Sequence, residues 1–469
     1  MGKMTFGVIV GNRGFFPDVL AKEGRKDILH VLKANGYGAV ALGITDTKYG
    51  AVETFQDADQ CAALFASRAK DIAGIIVTLP NFGDERGIAE TIKRSGLDVP
   101  ILIHAEEDTA GRMKIDRRRD SFCGKISVCN NLRQAGIAFS LTRAHTVAVA
   151  SPEFQQDLER FAAICRIVRG LKNVRFGAIG SRPAAFNTVR YSEKLLEYAG
   201  IGVEPVDLYE ILSKVERLAD NDRKVKAKLD AIRKYTNTEA IPAAGLLKMA
   251  KFGAVVDMWI KEKQLAGTAI QCWTALEEFF GIVPCTVMSM MSQSLLPSAC
   301  EVDITGLLAM YILQLASGTP SALLDWNNNY QDEPDKCVLF HCSNLPKSFF
   351  TADRMDYQEI IAGSVGKENT YGTIVGRIKA SPATFCRTMT DDVDGVMRAY
   401  VGEGQFTDDA LETFGGYGVM QIEELQTLLT YICRMGFEHH VAVSLSQTAA
   451  PIAEALSNYL AWDVYHHRI

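Results

Sequence analysis

Short apolar, β-rich runs alternate with helically spaced segments along the first third of the chain. Short β-rich runs at Thr5–Val10, Ala39–Ile44, Ile75–Leu79 and Pro100–His104 predict strands, and Asp18–Asn35, Asp57–Asp71 and Asp84–Ser95 carry helical spacing. Strand, helix and strand at this interval predict βαβ units around a parallel sheet. A second α/β unit starts near Asn173, with strands at Val174–Ile179 and Ile201–Val206 on either side of a helix at Val189–Tyr198. The charged stretch Leu218–Tyr235 reads as an exposed helix. Thr268–Trp273, Gly281–Cys285 and Ser298–Val302 follow as strand or loop elements, ahead of a buried helix at Thr305–Ser317. After residue 350 the period changes to two, over residues 373–379, 383–390 and 396–401. That pattern predicts antiparallel strands in a small barrel or sandwich. Helices at Ile422–Met435 and Pro451–Ala461 close the chain. The resulting expectation is an α/β protein with two Rossmann-like α/β domains, 1–170 and 171–350, followed by a β-rich, barrel-like domain over 351–469.

Composition narrows the function classes. Of the 469 residues 48% are hydrophobic and 23% charged, far from the profile of a disordered chain. Fifty basic against 56 acidic residues leave a net charge of −6, whereas nucleic-acid binders usually present a basic stripe. Arg117–Arg119 sits beside acids and reads as a solvated face. The apolar stretch Gly306–Ser317 falls short of the roughly 20 residues a membrane span needs. Phe6–Val10 is too short for a signal-peptide core of about 7–15 residues. No nucleic-acid or membrane partner is expected. The 11 cysteines form no Cys-x-x-Cys pair; Cys123, Cys272, Cys285, Cys300 and Cys433 read as reduced core thiols, so a cytoplasmic location is expected. The glycines of Gly7–Gly14 lack the Gly-x-Gly-x-x-Gly spacing of a dinucleotide loop, and no Gly-x-Ser-x-Gly elbow marks a serine hydrolase.

Polar residues inside apolar runs carry the remaining signal, because an unpaired buried charge costs several kcal/mol. Glu301 and Asp303 interrupt Ala-Cys-Glu-Val-Asp-Ile, where Asp303 reads as a helix N-cap and Glu301 as a partner of an arginine. Asp325 ends the run Ala-Leu-Leu, a place where turn-initiating aspartates are common. His341 ends Val-Leu-Phe and reads as a core histidine. His439 and His440 enter a β-like run, and adjacent residues of a strand face opposite sides. Singly, each has an ordinary structural explanation. Together they supply two carboxylates and one or two imidazoles, a set that suits Mn²⁺ or another divalent ion with positions open to a polyol.

At these residues the chain resembles the L-fucose isomerase and L-arabinose isomerase superfamily. The resemblance implies metal ligands at Glu301, Asp325 and His440, with His440 preferred over His439, and Mn²⁺ as the ion, with Mg²⁺, Co²⁺ or Zn²⁺ as alternatives. It extends to Ser121–Asn131, Gly177–Thr188 and Gln271–Trp273, although the chain is shorter than a typical fucose isomerase. It implies an aldose–ketose isomerase working through a cis-enediol, with Glu301 and Asp325 as proton-transfer groups, either of which can be the base. His341, Trp273, Gln271, Arg182, Asn327 and His439 become candidate substrate contacts. Lys347 and Arg182 are conceivable partners of an anionic group. A homo-oligomer, a hexamer or trimer, would bring Phe122, Asn130 and Asn131 from a neighbouring subunit. The substrate class is a free monosaccharide, with a deoxy or C6-modified hexose such as fucose or sulfoquinovose in view. A non-catalytic sugar-binding or regulatory protein and a metal-dependent aldolase or hydrolase are the competing readings.

Overall fold

The computed structural model describes residues 4–468, which divide into two compact units. The first runs to Arg169 and takes back the late segment Glu454–Ala461; the second holds Gly170–Ala453 and the chain from Trp462.

In the first unit β1 (Thr5–Val10), β2 (Gly38–Val40), β3 (Ile72–Leu79), β4 (Ile101–Ala105) and β5 (Ser140–Leu141) make one parallel sheet, ordered β2-β1-β3-β4-β5. β3 is buried at every position, as a central strand covered on both faces must be. Local chemistry sets the helix ends. Thr54 accepts from the Asp57 N–H while the Asp57 carboxylate accepts from Thr54, starting Phe55–Ser67 with a reciprocal cap. Asp84 caps Glu85–Ser95, and Gly96 ends it at φ 64°. In the helix Ser121–Gln134, Gly124 lies so close to the loop after β3 that a Cβ would stand 1.9 Å from the Phe82 carbonyl oxygen. The late segment is tied in by Tyr459. Its hydroxyl accepts from the Ile101 N–H (3.3 Å), donates to the Ile101 carbonyl (3.2 Å) and meets the Ser140 hydroxyl at 2.8 Å.

The second unit begins with a four-stranded parallel sheet: β6 (Val174–Ile179), β7 (Ile201–Val206), β8 (Thr268–Ile270) and β9 (Ser298–Cys300), ordered β7-β6-β8-β9. Nine strands follow: β10 (Ser321–Tyr330), β11 (Glu333–His341), β12 (Arg354–Tyr357), β13 (Tyr371–Arg377), β14 (Ser381–Asp391), β15 (Val396–Thr407), β16 (Gly416–Gln421), β17 (His440–Ser444) and β18 (Asp463–His467). They form one sheet, ordered β12-β13-β16-β11-β10-β17-β14-β15-β18. Because β15 also pairs with β16, the strands β16, β11, β10, β17, β14 and β15 close into an antiparallel ring. One hydrophobic core runs from Ile179, Trp259 and Ile270 to Leu324, Phe385, Tyr400 and Val441, joining the parallel sheet to the ring.

The structure departs from the pattern-based expectation in definable places. The antiparallel sheet begins at Ser321, well before residue 350, so no sheet boundary falls there. β10 escapes a period-2 reading because its first half is buried on both faces and its second projects outward. Gly281–Cys285 contains no strand; the helix Cys285–Gln293 starts at its end. The helix Ala243–Lys263 has no sequence signal, since buried residues such as Leu246, Met249, Phe252, Val255 and Trp259 leave it without a continuous polar stripe. Cys123 and Cys433 are exposed rather than core thiols, while Cys272, Cys285 and Cys300 are buried. Among the described residues no helix is long and apolar enough to cross a membrane.

Candidate active site

The carboxyl ends of parallel strands are the usual place for a site in an α/β sheet, because loops there are free to carry polar groups. In the second unit β6 leads into the loop of Arg182 and Phe186, β8 into Gln271 and Trp273, and β9 into Glu301. Glu301 and Val302 leave β9 with φ of 53° and 56°, the left-handed region that costs an L-residue about 1–3 kcal/mol. This bend lets the chain turn at once into the helix Ile304–Ser317, which Asp303 caps by accepting from the Gly306 N–H.

The antiparallel ring contributes the other two groups. Asp325 of β10 stands directly opposite His440 of β17, so both side chains emerge on one face. His440 Nε2 lies 3.4 Å from Asp325 Oδ1 and 3.6 Å from Glu301 Oε2. The three residues named from the sequence thus converge. Glu301 is buried, and its Oε2 has no hydrogen-bond partner among the described residues. An orphaned carboxylate oxygen that shares an imidazole nitrogen with a second carboxylate offers the donor types a cation site requires. Burial pushes the Glu301 carboxyl up to about 7, against the opposing pull of His440.

The other face of His440 explains its orientation. Its Nδ1 meets Asp303 Oδ2 at 2.8 Å, so the ring donates there and turns Nε2 toward Glu301 and Asp325. Arg387 of β14 holds Asp303 through two bonds and also donates to Glu438 (3.1 Å). Burial raises the Asp303 carboxyl, but the Arg387 guanidinium and His440 outweigh it and hold the group well below the carboxylate range. Burial lowers His440, yet Asp303 and the two neighbouring acids raise it to about 9. Sequence reasoning has Asp303 as the cap and nothing more; the arginine partner expected for Glu301 belongs to Asp303 instead. Arg387 sits in an alternating strand with no signal of its own.

The two histidines do not face opposite sides. β17 starts at His440, so His439 precedes the strand and escapes its alternation; its Nε2 is 3.8 Å from Asp325 Oδ1. Asp325, His439 and His440 can therefore hold an ion together, as can Cys272, Cys300 and Glu301. His439 is half-exposed whereas His440 is buried. His341 is buried, with its Nδ1 3.7 Å from Cys342 Sγ and its ring 6.5 Å from that of His440.

The remaining sequence candidates fall into three groups. Trp273 packs edge-on against Phe186 (5.8 Å), which stacks on His439 (6.2 Å), so an aromatic wall borders the imidazoles; Phe186 is a neighbour that sequence reasoning passes over. Gln271 and Arg182 make loop contacts: Gln271 Oε1 accepts from the Ser181 N–H of the loop after β6, and Arg182 donates to the carbonyl of its neighbour Pro183. Asn327 is exposed and accepts from Asn328. Lys347 donates to the Tyr235 carbonyl at 2.7 Å. In the first unit Phe122 and Asn130 are exposed, and Asn131 donates back to the Ser127 carbonyl of its own helix.

The chain is similar to known proteins over two long stretches. Residues 7–172 match the N-terminal domain of the fucose/sulfoquinovose isomerases, and residues 339–467 match the C-terminal domain of L-fucose isomerase. Glu301 and Asp325 lie between the two matched stretches. A sulfoquinovose isomerase of Alkalicoccus urumqiensis is 24% identical over 265 residues, 56% of this chain and 57% of that protein. Those of Priestia aryabhattai and Clostridium sp. (strain MSTE9) are each 24% identical, covering 52% and 50% of this chain and 53% and 52% of their own. The chain spans a little over half the length of the curated relatives it matches. It belongs to the fucose-isomerase-like superfamily.

Proposed function

We propose that this member of the fucose-isomerase-like superfamily is an aldose–ketose isomerase of a free monosaccharide, with sulfoquinovose, the sugar named for its relatives, as the first substrate to test. The observation that carries the reading is the orphaned, buried oxygen of Glu301, which shares the Nε2 of His440 with Asp325. Glu301, Asp325 and the Nε2 of His440 would hold the divalent ion, Mn²⁺ in preference given two carboxylates and one imidazole. When bound, such an ion stabilises negative charge developing on the two sugar oxygens next to the reacting carbons.

The protein groups supply the rest. Isomerisation moves one proton between C1 and C2 and another between O1 and O2. Glu301 or Asp325 takes the carbon-bound proton and returns it to the neighbouring carbon. A carboxyl raised to about 7 is matched to this work near neutral pH, where proton transfer by a positioned group typically contributes about 10²–10⁴-fold. Asp303, kept ionised by Arg387, fixes the His440 ring. Trp273 and Phe186 offer an apolar wall for the sugar face and exclude water. We further propose a homo-oligomer, a hexamer or trimer, in which a neighbour's exposed Phe122 and Asn130 help close the site, with Asn131 behind them, and a cytoplasmic location in keeping with eleven unpaired cysteines.

The test is an NMR panel of fucose, arabinose and sulfoquinovose incubated with Mn²⁺-loaded and chelator-treated protein. Ketose signals that depend on the metal are expected from at least one sugar. Cleaved product would favour the aldolase class, and binding without turnover a sugar-binding protein; no ketose from any sugar overturns the proposal.

A further inference from the structure

Behind Glu301 the second unit is lined with sulfur. Cys272 Sγ donates to Glu301 Oε1 at 3.5 Å, and Cys300, the last residue of β9, accepts from Asn344 Nδ2 at 3.2 Å. Cys285 and Cys342 belong to the same group of neighbouring thiols. All four thiols are buried. The ligand atoms of Cys272, Cys300 and Glu301 lie within 4.8 Å of one another. A thiolate–metal bond of about 2.3 Å and a carboxylate bond of about 2.0–2.2 Å put ligand atoms somewhat under that separation, so a small inward movement of side chains suffices. Asn344 is placed to stabilise a thiolate at Cys300, and the Glu301 carboxylate to accompany it.

We propose that Cys272, Cys300 and Glu301 form a second metal site, selective for a soft or borderline dication such as Cd²⁺ or Zn²⁺, that shares Glu301 with the isomerase centre. The two oxygens of Glu301 face in different directions, Oε1 toward the thiol of Cys272 and Oε2 toward His440. Thiolates select soft ions, whereas Asp325 and His440 beside a carboxylate suit a harder one. Binding replaces two thiol protons, which pass to solvent, so no oxidant or reductant is involved. An ion on the sulfur side draws the carboxylate away from His440, and the two sites compete. The competition rests on the reading of Glu301 as a ligand of the isomerase centre; the thiol site itself does not.

The test uses the full-length chain with the exposed Cys123 and Cys433 replaced by serine, titrated with CdCl₂ and followed by thiolate-to-Cd²⁺ charge-transfer absorption. A plateau at about one Cd²⁺ per chain is expected, with affinity at least about tenfold lower in Cys272→Ser and in Cys300→Ser and unchanged in Cys61→Ser. No band, or a band that neither Cys272→Ser nor Cys300→Ser weakens, overturns the site. If the serine variants fail to fold, Glu301→Gln leaves both thiols in place and should retain the band with weaker Cd²⁺ binding; unaltered affinity overturns the proposal. Mn²⁺ followed by EPR should be released as Cd²⁺ binds, and Mn²⁺ that stays bound at the Cd²⁺ plateau overturns the sharing of Glu301. A chain that shows the Cd²⁺ band but takes up no Mn²⁺ supports the thiol site while removing the isomerase centre, so the two readings fail separately.

Discussion

Arg387 and Asp303 clasp each other across 84 residues of sequence, with both side chains fully buried and two bonds of 2.5 and 3.0 Å between them. The pair stands one step behind His440, whose Nδ1 uses the same Asp303 oxygen that faces the arginine Nη1. Asp303, Glu301 and Asp325 gather three acids around one imidazole, and Arg387 is the buried cation that neutralises the charge of Asp303. Arg387→Met leaves that charge uncompensated. The expected cost is about 3–5 kcal/mol of folding stability, the usual effect of removing one member of a buried pair. Urea denaturation measures it, and a loss below about 1 kcal/mol would show that the acids find another partner.

The ligand set is separable by metal content. Glu301→Gln and His440→Ala should each abolish stoichiometric Mn²⁺ uptake and lower isomerase activity by several orders of magnitude. His439→Ala should retain the ion with weaker affinity, because His439 lies farther from Asp325 and is half-exposed. Elemental analysis after dialysis decides this, and retention of metal by His440→Ala alongside its loss in His439→Ala would reverse the assignment.

Glu277 makes the pH dependence of stability readable. It is buried, neither carboxylate oxygen has a partner among the described residues, and burial pushes its carboxyl up to about 8. Below the ordinary 4.5 the group is protonated in folded and unfolded chains alike, and it makes no difference. Between 4.5 and about 8 the unfolded chain gives up its proton while the folded chain keeps it, so the folded state loses stability as pH rises. Glu277→Gln should therefore raise the melting temperature at pH 8 and leave it unchanged at pH 4. An equal rise at both values would point to packing instead.

Gly124 offers a test of the first unit alone. A methyl group there meets the Phe82 carbonyl oxygen at 1.9 Å, and backbone cannot swing aside as a side chain does. Gly124→Ala should cost at least about 1–3 kcal/mol, the range for an overpacked interior, despite alanine's better helix propensity. A more stable variant, measured by thermal melting, would show that the helix Ser121–Gln134 can shift.

How much of this was readable in advance follows from what each residue depends on. Continuous apolar runs mark β1, β3 and β4, and helical periodicity marks the helices between them, because strands covered on both faces are apolar throughout while amphipathic helices repeat. Glu301, Asp325 and His440 are visible as polar residues interrupting apolar runs, a signal that survives because burying them is costly. Arg387, Phe186 and Cys272 are not visible. Arg387 matters through a partner 84 residues away, Phe186 through a loop that its own neighbours do not define, and Cys272 looks like any small core residue until its sulfur is placed beside Glu301. Nor does any glycine announce the left-handed turn at Glu301 and Val302, just ahead of the helix that Asp303 caps.

The return of Glu454–Ala461 to the first unit has a consequence for how the chain is made. Synthesis is vectorial, so the ribosome delivers β1 through β5 some three hundred residues before Tyr459 emerges to close against Ile101 and Ser140. Until then the Ile101 peptide and the Ser140 hydroxyl at that rim of the sheet lack their native partner, and they are free to pair with water, a chaperone or another nascent chain. A protease that nicks the last stretch of the protein would reopen the same rim, far from the cut in sequence. The first unit is thus finished last, although it is translated first.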